Sequence, residues 1–330
     1  MLYPLELIPV VQDYLWGGTR LATDLGKPLP VSGRVAESWE IVDHRSAQST
    51  VSRGPIAKMT LEQIRKSHPD QLFGRDASHF RADASRRFPL LLKYLDCQQV
   101  LSVQVHPDDA YASGMSPPDL GKTEAWYVID AAPGSKIYAG LKTGVSRSDL
   151  ATAVATGQTE RVLHSFSPRP GDCVFVPAGT VHALGEGLLI AEIQQSSNTT
   201  FRLFDWNRLD SNGLSRPLHL QQALEVTDYQ RGPISPVASA GLSRRWQSLV
   251  DCERFRLWAR HGTGEVVLEP TDAFAIVTVP RGEARLTCND QQYLLPAGRS
   301  LLLPACVPAC HLSLLTDQTT ILLIRPPNLA

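Results

Sequence analysis

The sequence contains no apolar run approaching the roughly 18 residues of a membrane-spanning helix, and no basic residue precedes the apolar stretch at its start. That pattern predicts a soluble, untargeted, cytoplasmic chain. Net charge is nearly absent too: 32 Lys and Arg against 33 Asp and Glu leave −1. Such a balance argues against nucleic acid or an anionic membrane as a partner, so any positive site must be local. The six cysteines, at 97, 173, 252, 288, 306 and 310, include no C-x-x-C pair. Without a secretory signal they read as reduced and mostly structural. A glycine-rich phosphate loop, a G-x-G-x-x-G fingerprint and regular strand and helix alternation are also missing, which argues against a nicotinamide or nucleotide enzyme. Disorder does not fit a 330-residue chain that is 43% apolar and only 20% charged.

What is present has the texture of an all-β protein. Short apolar segments, such as residues 135–141, 173–176, 188–194 and 300–303, are punctuated by Gly and Pro. Helical spacing appears at residues 60–67, capped by Thr60, and at 147–157, with Ser148 as the expected cap and Gly157 as the stop. One segment recurs. Gly171-Asp172-Cys173-Val174-Phe175-Val176-Pro177 returns as Gly298-Arg299-Ser300-Leu301-Leu302-Leu303-Pro304. In each copy a Gly supplies a tight turn, an apolar strand follows, and a Pro ends it. After Pro177 come Gly179 and His182, whereas the equivalent positions after Pro304 hold Cys306 and Ala309. If both copies are β-barrel units, the first kept a metal ligand and the second did not. Turn formers across 212–240, including Ser211-Asn212-Gly213 and the run from Arg231-Gly232-Pro233 to Ser243, mark the expected boundary. The expected domains are a catalytic, metal-binding one with accessory helices over residues 1–215 and a degenerate C-terminal β domain over 216–330.

Residues 101–106 alternate, so Gln104 and His106 share one face of a strand and Val103 and Val105 the other. Lys122 and Glu124 share a face if their strand has begun by then. His182 follows the Gly171 strand. Gln104, His106, Glu124 and His182 form a mixed nitrogen and oxygen set suited to one Zn²⁺ per chain, with other divalent ions admitted. Two neutral imidazoles, an amide and one carboxylate leave such a centre at about +1. It would polarise a carbonyl and steady the oxyanion that develops when a neighbouring C–H proton leaves. A lone strand histidine is more often a hydrogen-bonded core residue; the set, not any member, carries the reading.

Gly171-x5-Pro177-x-Gly179-x2-His182 matches the second motif of the cupin superfamily, a metal-binding β-barrel. The first cupin motif is altered: Gln104-x-His106 replaces His-x-His, and an insertion over 109–121 delays the carboxylate to Glu124. With Leu101-Ser-Val-Gln-Val-His-Pro-Asp-Asp109 and Lys122-Thr-Glu-Ala-Trp126, that departure resembles the type I mannose-6-phosphate isomerases. The likeness extends to Tyr14-Leu-Trp-Gly-Gly18, Glu37-Ser-Trp-Glu-Ile41, Phe88-Pro-Leu-Leu-Leu-Lys93 and Glu192-Ile-Gln-Gln-Ser-Ser-Asn-Thr-Thr-Phe-Arg202, covering roughly residues 1–210. It is similar to the shorter bacterial form. The resemblance implies a mainly β fold of two cupin-like jelly-roll barrel units with a few accessory helices. It also implies a zinc-dependent aldose-ketose isomerase that interconverts mannose 6-phosphate and fructose 6-phosphate through a cis-enediol. The partner would be a small sugar phosphate; oligomeric state is left open.

Individual roles follow from the same likeness. Lys93 lies in the apolar segment 89–95, where an ammonium needs an anion or water; snorkelling from an edge strand is the alternative. The resemblance puts it in the active site, beside the sugar or its phosphate. Ser102 matches a position implicated in phosphate contact. Arg202 resembles the family's active-site arginine, whose fork could bind an enediolate or phosphate oxygen. For Asp205 and Arg208 an exposed ion pair is an equal explanation, and for Trp16 and Trp39 core packing competes with sugar stacking. Lys122 qualifies as the base if burial and the metal lower its pKa from about 10.4 toward neutrality; Glu37 and Asp205 are carboxylate alternatives. Cys306-x3-Cys310-His311 offers a second metal reading but lacks a distant matching pair. Two other functions fit the same barrel. A non-catalytic, metal-bearing sugar sensor would explain a degraded second unit. A metal-dependent dioxygenase would use iron, although Gln104 where a His is expected argues against it.

Overall fold

A computed structural model of the chain describes residues 1–83, 86–209, 213–238 and 244–327. The expected mainly β architecture is found, as antiparallel sheets with a few short helices. Among the described residues no helix is long and apolar enough to cross a membrane. All six cysteines are free thiols.

The chain forms two compact units, and they do not divide at 215/216. One comprises Met1–Gln12, Thr19–Tyr94 and Ser239–Ala330; the other comprises Asp13–Gly18 and Leu95–Ala238. The cause is an open sheet edge. In the first unit the strand Leu5–Ile8 pairs with Ser300–Leu303, Leu5 lying opposite Leu302. That pairing satisfies ladder groups that a C-terminal domain alone would leave exposed. Of the turn-rich stretch, Ser211, Asn212 and Ser243 lie outside the described residues. Its middle belongs to the second unit: the Ile234 N–H donates to the Ala139 carbonyl, and Val237–Ala238 pairs with Asp172–Val176.

In the first unit a sheet containing Arg256–His261, Thr320–Arg325, Ala275–Arg281, Ser300–Leu303 and Leu5–Ile8 accompanies a four-stranded sheet of Gly264–Leu268, Cys310–Leu314, Glu283–Cys288 and Gln291–Pro296. Val277, Leu301 and Ile321 from one join Leu286 and Leu312 from the other in a single apolar cluster. Here the helix Leu61–Ser67 starts at Thr60, with Gln63 completing a capping box, as its spacing predicts.

The second unit holds a five-stranded sheet in the order Leu163–Phe166, Ile137–Leu141, His182–Leu184, Val103–Val105, Phe201–Phe204. Facing residues come from Asp172–Val176, Glu124–Ala131 and Leu188–Gln195, hydrogen-bonded in that order. The helices Arg147–Ala155 and Leu220–Val226 share an apolar cluster with the five-stranded sheet. The first of these is capped by Ser146, not Ser148: Ser146 has the extended backbone, and its hydroxyl accepts from the Asp149 N–H. Gly171 and Gly298 both have left-handed φ, at 94° and 86°, so both copies of the repeated segment need glycine at the turn.

Candidate metal centre

Strand alternation sorts the side chains of the second unit. Val103, Val105, Val181, Ala183, Phe201 and Leu203 belong to the helix-covered cluster, which sends the residues between them to the opposite face. Those residues are Gln104, His182 and Arg202, and they form a row: Gln104 is directly opposite His182 on one side and Arg202 on the other. Glu124 opens a strand of the other sheet, opposite Val176 and Gln194. His106 lies just past the end of the strand Val103–Val105.

These elements converge. His182 Nε2 is 3.4 Å from Glu124 Oε1, and His106 Nε2 is 3.6 Å from Glu124 Oε2. One donor atom from each of the three residues lies within 4.8 Å of the others, and all three are buried to 1% exposure or less. Each imidazole is fixed from behind, His106 Nδ1 by the Thr199 carbonyl and His182 Nδ1 by the Thr180 carbonyl, both at 2.9 Å. A carbonyl only accepts, so in the neutral ring Nδ1 carries the hydrogen and Nε2 keeps its lone pair. Burial pushes the His182 pKa down to about 4, leaving a neutral ligand at neutral pH. His182 Nε2 is buried without a hydrogen-bond partner.

Two imidazole lone pairs and a carboxylate around one buried point are a donor set that a divalent cation satisfies. A positive charge already stands among them. The Lys122 ammonium donates to Glu124 Oε2 at 3.0 Å and to His106 Nε2 at 3.2 Å. It does so from the loop, since the strand begins only at Glu124; the common strand face expected for the two is not what brings them together.

The remaining expected residues are placed unevenly. Arg202 donates through Nη1 to the Pro217 carbonyl at 2.9 Å, while its Nε is buried without a hydrogen-bond partner. Ser102 is buried immediately before the strand Val103–Val105. Lys93 belongs to the first unit, where it does not snorkel: at 3% exposure its Nζ is 3.3 Å from Glu37 Oε2 and 4.8 Å from the centre of the Trp39 ring. Trp16 and Trp39 are core residues. Asp205 is no exposed partner of Arg208 either. It is buried, and both Arg208 and Arg216 bind it. Burial works against its charge, but the two guanidiniums outweigh it and hold its pKa below the usual carboxylate range, a poor setting for a base. The second metal reading fails on alternation, because Cys310 is buried and His311 exposed on one strand.

Two residues given no role from sequence also belong to the centre. Glu192 accepts from Trp126 Nε1 at 3.2 Å, and its other oxygen is 4.0 Å from Lys122 Nζ. Gln194, two positions on, donates its amide to the Gln195 and Ser197 carbonyls at 2.8 and 2.6 Å. The signal was available: a carboxylate in a strand buried along its whole length needs a partner as Lys93 does.

The chain is similar to known proteins over most of its length. The family model of the type I phosphomannose isomerase catalytic domain matches residues 5–125. The mannose-6-phosphate isomerase ManA of Bacillus subtilis is 36% identical over 305 residues, 91% of this chain and 93% of that protein. The chain belongs to the type I phosphomannose isomerases. The mannose-6-phosphate isomerase of Streptococcus mutans gives another full-length relative of the family, 36% identical over 307 residues, 92% of this chain and 93% of that protein. In three dimensions the crystal structure of the Bacillus subtilis mannose 6-phosphate isomerase matches with a TM-score of 0.83 at 32% identity, covering 98% of this chain and 99% of that one. The family likeness therefore runs well past residue 210, through the unit whose repeat lost its histidine.

Proposed function

We propose that the chain interconverts mannose 6-phosphate and fructose 6-phosphate in the cytoplasm, with one Zn²⁺ held by Gln104, His106, Glu124 and His182. The observation that carries the reading is the convergence of two Nε2 lone pairs and the Glu124 carboxylate, with both Nδ1 atoms occupied by carbonyls. Gln104, in register with His182, supplies the fourth donor. Free thiols suit a reducing compartment.

When bound, the ion would serve as a Lewis acid toward substrate oxygens, drawing off charge as the C–H proton leaves. The side chains have separate tasks. Lys122 Nζ, between Glu124 and Glu192, acts as the base in its neutral amine form: it takes the proton from carbon 2 of the open-chain sugar, which leaves the cis-enediol, and returns that proton to carbon 1. Arg202, on the same face as Gln104, turns its guanidinium to the enediolate or phosphate oxygens. Ser102 and Lys93 are assigned to the substrate, chiefly its phosphate, on the family resemblance. The test is an assay coupled to fructose 6-phosphate, run on purified protein with and without a chelator. Turnover of mannose 6-phosphate that the chelator abolishes and Zn²⁺ restores is the expected result; sugar binding without turnover would leave only a sensor.

A further inference from the structure

We infer that Arg231 is a positioning residue for the metal centre, bracing the loop that holds the two histidine ligands in place; the inference rests on the metal reading above. The loop is residues 177–181, between the strands Asp172–Val176 and His182–Leu184. Gly179 has a φ of +85°, and a Cβ there would lie 3.1 Å from the Val226 carbonyl and 3.2 Å from Asp228 Cβ. The loop therefore runs tight against the end of the helix Leu220–Val226. Two backbone bonds fix it: the Gly179 N–H donates to the His106 carbonyl, and the Asp228 N–H donates to the Gly179 carbonyl, both at 2.8 Å.

Arg231 completes the brace. Its Nη1 donates to the Ala178 carbonyl at 2.7 Å and to Thr180 Oγ1 at 3.0 Å, with the Pro177 carbonyl at 3.3 Å. Its Nη2 pairs with Asp228 Oδ2 at 2.9 Å. Asp228 Oδ1 in turn accepts from the N–H groups of Gln230 and Arg231 at 2.9 and 3.2 Å, shaping the turn that aims the guanidinium. The pair with Asp228 alone would contribute little at a surface. Three oxygen acceptors within one five-residue loop are different, because they fix Thr180, whose carbonyl orients His182 through Nδ1. Gly179, next to Thr180, donates to the His106 backbone carbonyl. One guanidinium thus braces both the carbonyl behind the His182 ring and the loop bonded to the His106 backbone, an outer layer of support of the kind that tunes metal affinity.

The test titrates metal-free protein with Zn²⁺ against a chromophoric chelator. Wild type should take up one ion. Arg231→Ala should bind it roughly 10- to 100-fold more weakly, with a metal-free melting temperature close to wild type. Arg231→Lys should fall between the two, since a single ammonium cannot reproduce the fork. An Arg231→Ala protein that binds as tightly as wild type overturns the brace. So does one whose metal-free form melts much lower while affinity is kept, because that is a purely structural role. Should Arg231→Ala fail to fold, Thr180→Val removes one acceptor and keeps the carbonyl; unchanged affinity there also overturns the inference. A wild-type protein that takes up no Zn²⁺ would instead sink the metal reading, and the brace with it.

Discussion

The segments 171–177 and 298–304 share a left-handed glycine, a short strand and a closing proline, yet the interiors they serve are opposites. In the unit holding the second copy, the sheets meet through Val277, Leu286, Leu301 and Leu312, each fully buried and each contributing about 1.5–3 kcal/mol by leaving water. In the unit holding the first copy, His106, Lys122, Glu124, His182, Glu192 and Gln194 occupy the corresponding kind of space, all at 5% exposure or less. Burying such groups is costly unless they are hydrogen-bonded or paired. The second unit meets that cost by carbonyls behind each imidazole, Trp126 on Glu192, and an ammonium among the ligand atoms. A two-sheet fold therefore accepts a polar centre when each group has a fixed partner, and otherwise fills with leucine.

The largest test of that contrast is to make the polar interior resemble the apolar one. His182→Ala copies the Ala309 position of the other repeat and should abolish metal uptake, lowering turnover by about 10³-fold or more, a loss of several kcal/mol of transition-state stabilisation. Metal analysis and the coupled assay check this, with circular dichroism to confirm the β fold; full metal content would remove His182 from the ligand set. Lys122→Ala should separate charge from catalysis. Turnover falls by about 10²–10⁴-fold, the range for a lost proton-transfer group, yet Zn²⁺ should bind more tightly, because the ammonium that competes for Glu124 Oε2 and His106 Nε2 is gone. Weaker binding would mean that Lys122 supports the ligands instead of competing with the ion.

The contrast also marks how far the sequence could be read. Gln104 and His182 were legible as neighbours because strand alternation and one motif fix their faces, and the two lie opposite each other in the sheet; His106, past its strand end, and Glu124, at the start of its strand, were reached through the motif and the family likeness. The domain boundary was not. Nothing in Leu5–Ile8 says that its partner is Ser300–Leu303, since pairing across the length of the chain leaves no local pattern. Residues 231–238 looked like a linker because turn formers mark a bend without saying what the bend packs on; in the structure they continue the second unit. Lys93 and Glu192 carried the same clue, a charge in an apolar run, and only the fold names their partners, Glu37 and Trp126.

A smaller effect should come from the apolar unit. Leu312→Ala removes a fully buried side chain and should cost about 3 kcal/mol of stability, measured by urea unfolding, while metal affinity and turnover per folded molecule stay at wild-type values. A matching loss of metal affinity would show that the two interiors are not independent.

The gentlest probe is pH, because it acts on the polar interior and spares the leucines. Burial holds the folded His182 pKa near 4 against an ordinary 6.5, so between those values the unfolded chain takes up a proton that the folded chain refuses. Protons therefore favour unfolding in that window. The metal-free protein should have its full His182 contribution above about pH 6.5 and lose it progressively as the pH falls toward 4. Melting temperatures of metal-free wild type at pH 7 and pH 5, set against His182→Gln, check the assignment: the difference between the two proteins should shrink at the lower pH. A difference that stays constant would place the origin of any acid sensitivity elsewhere in the fold.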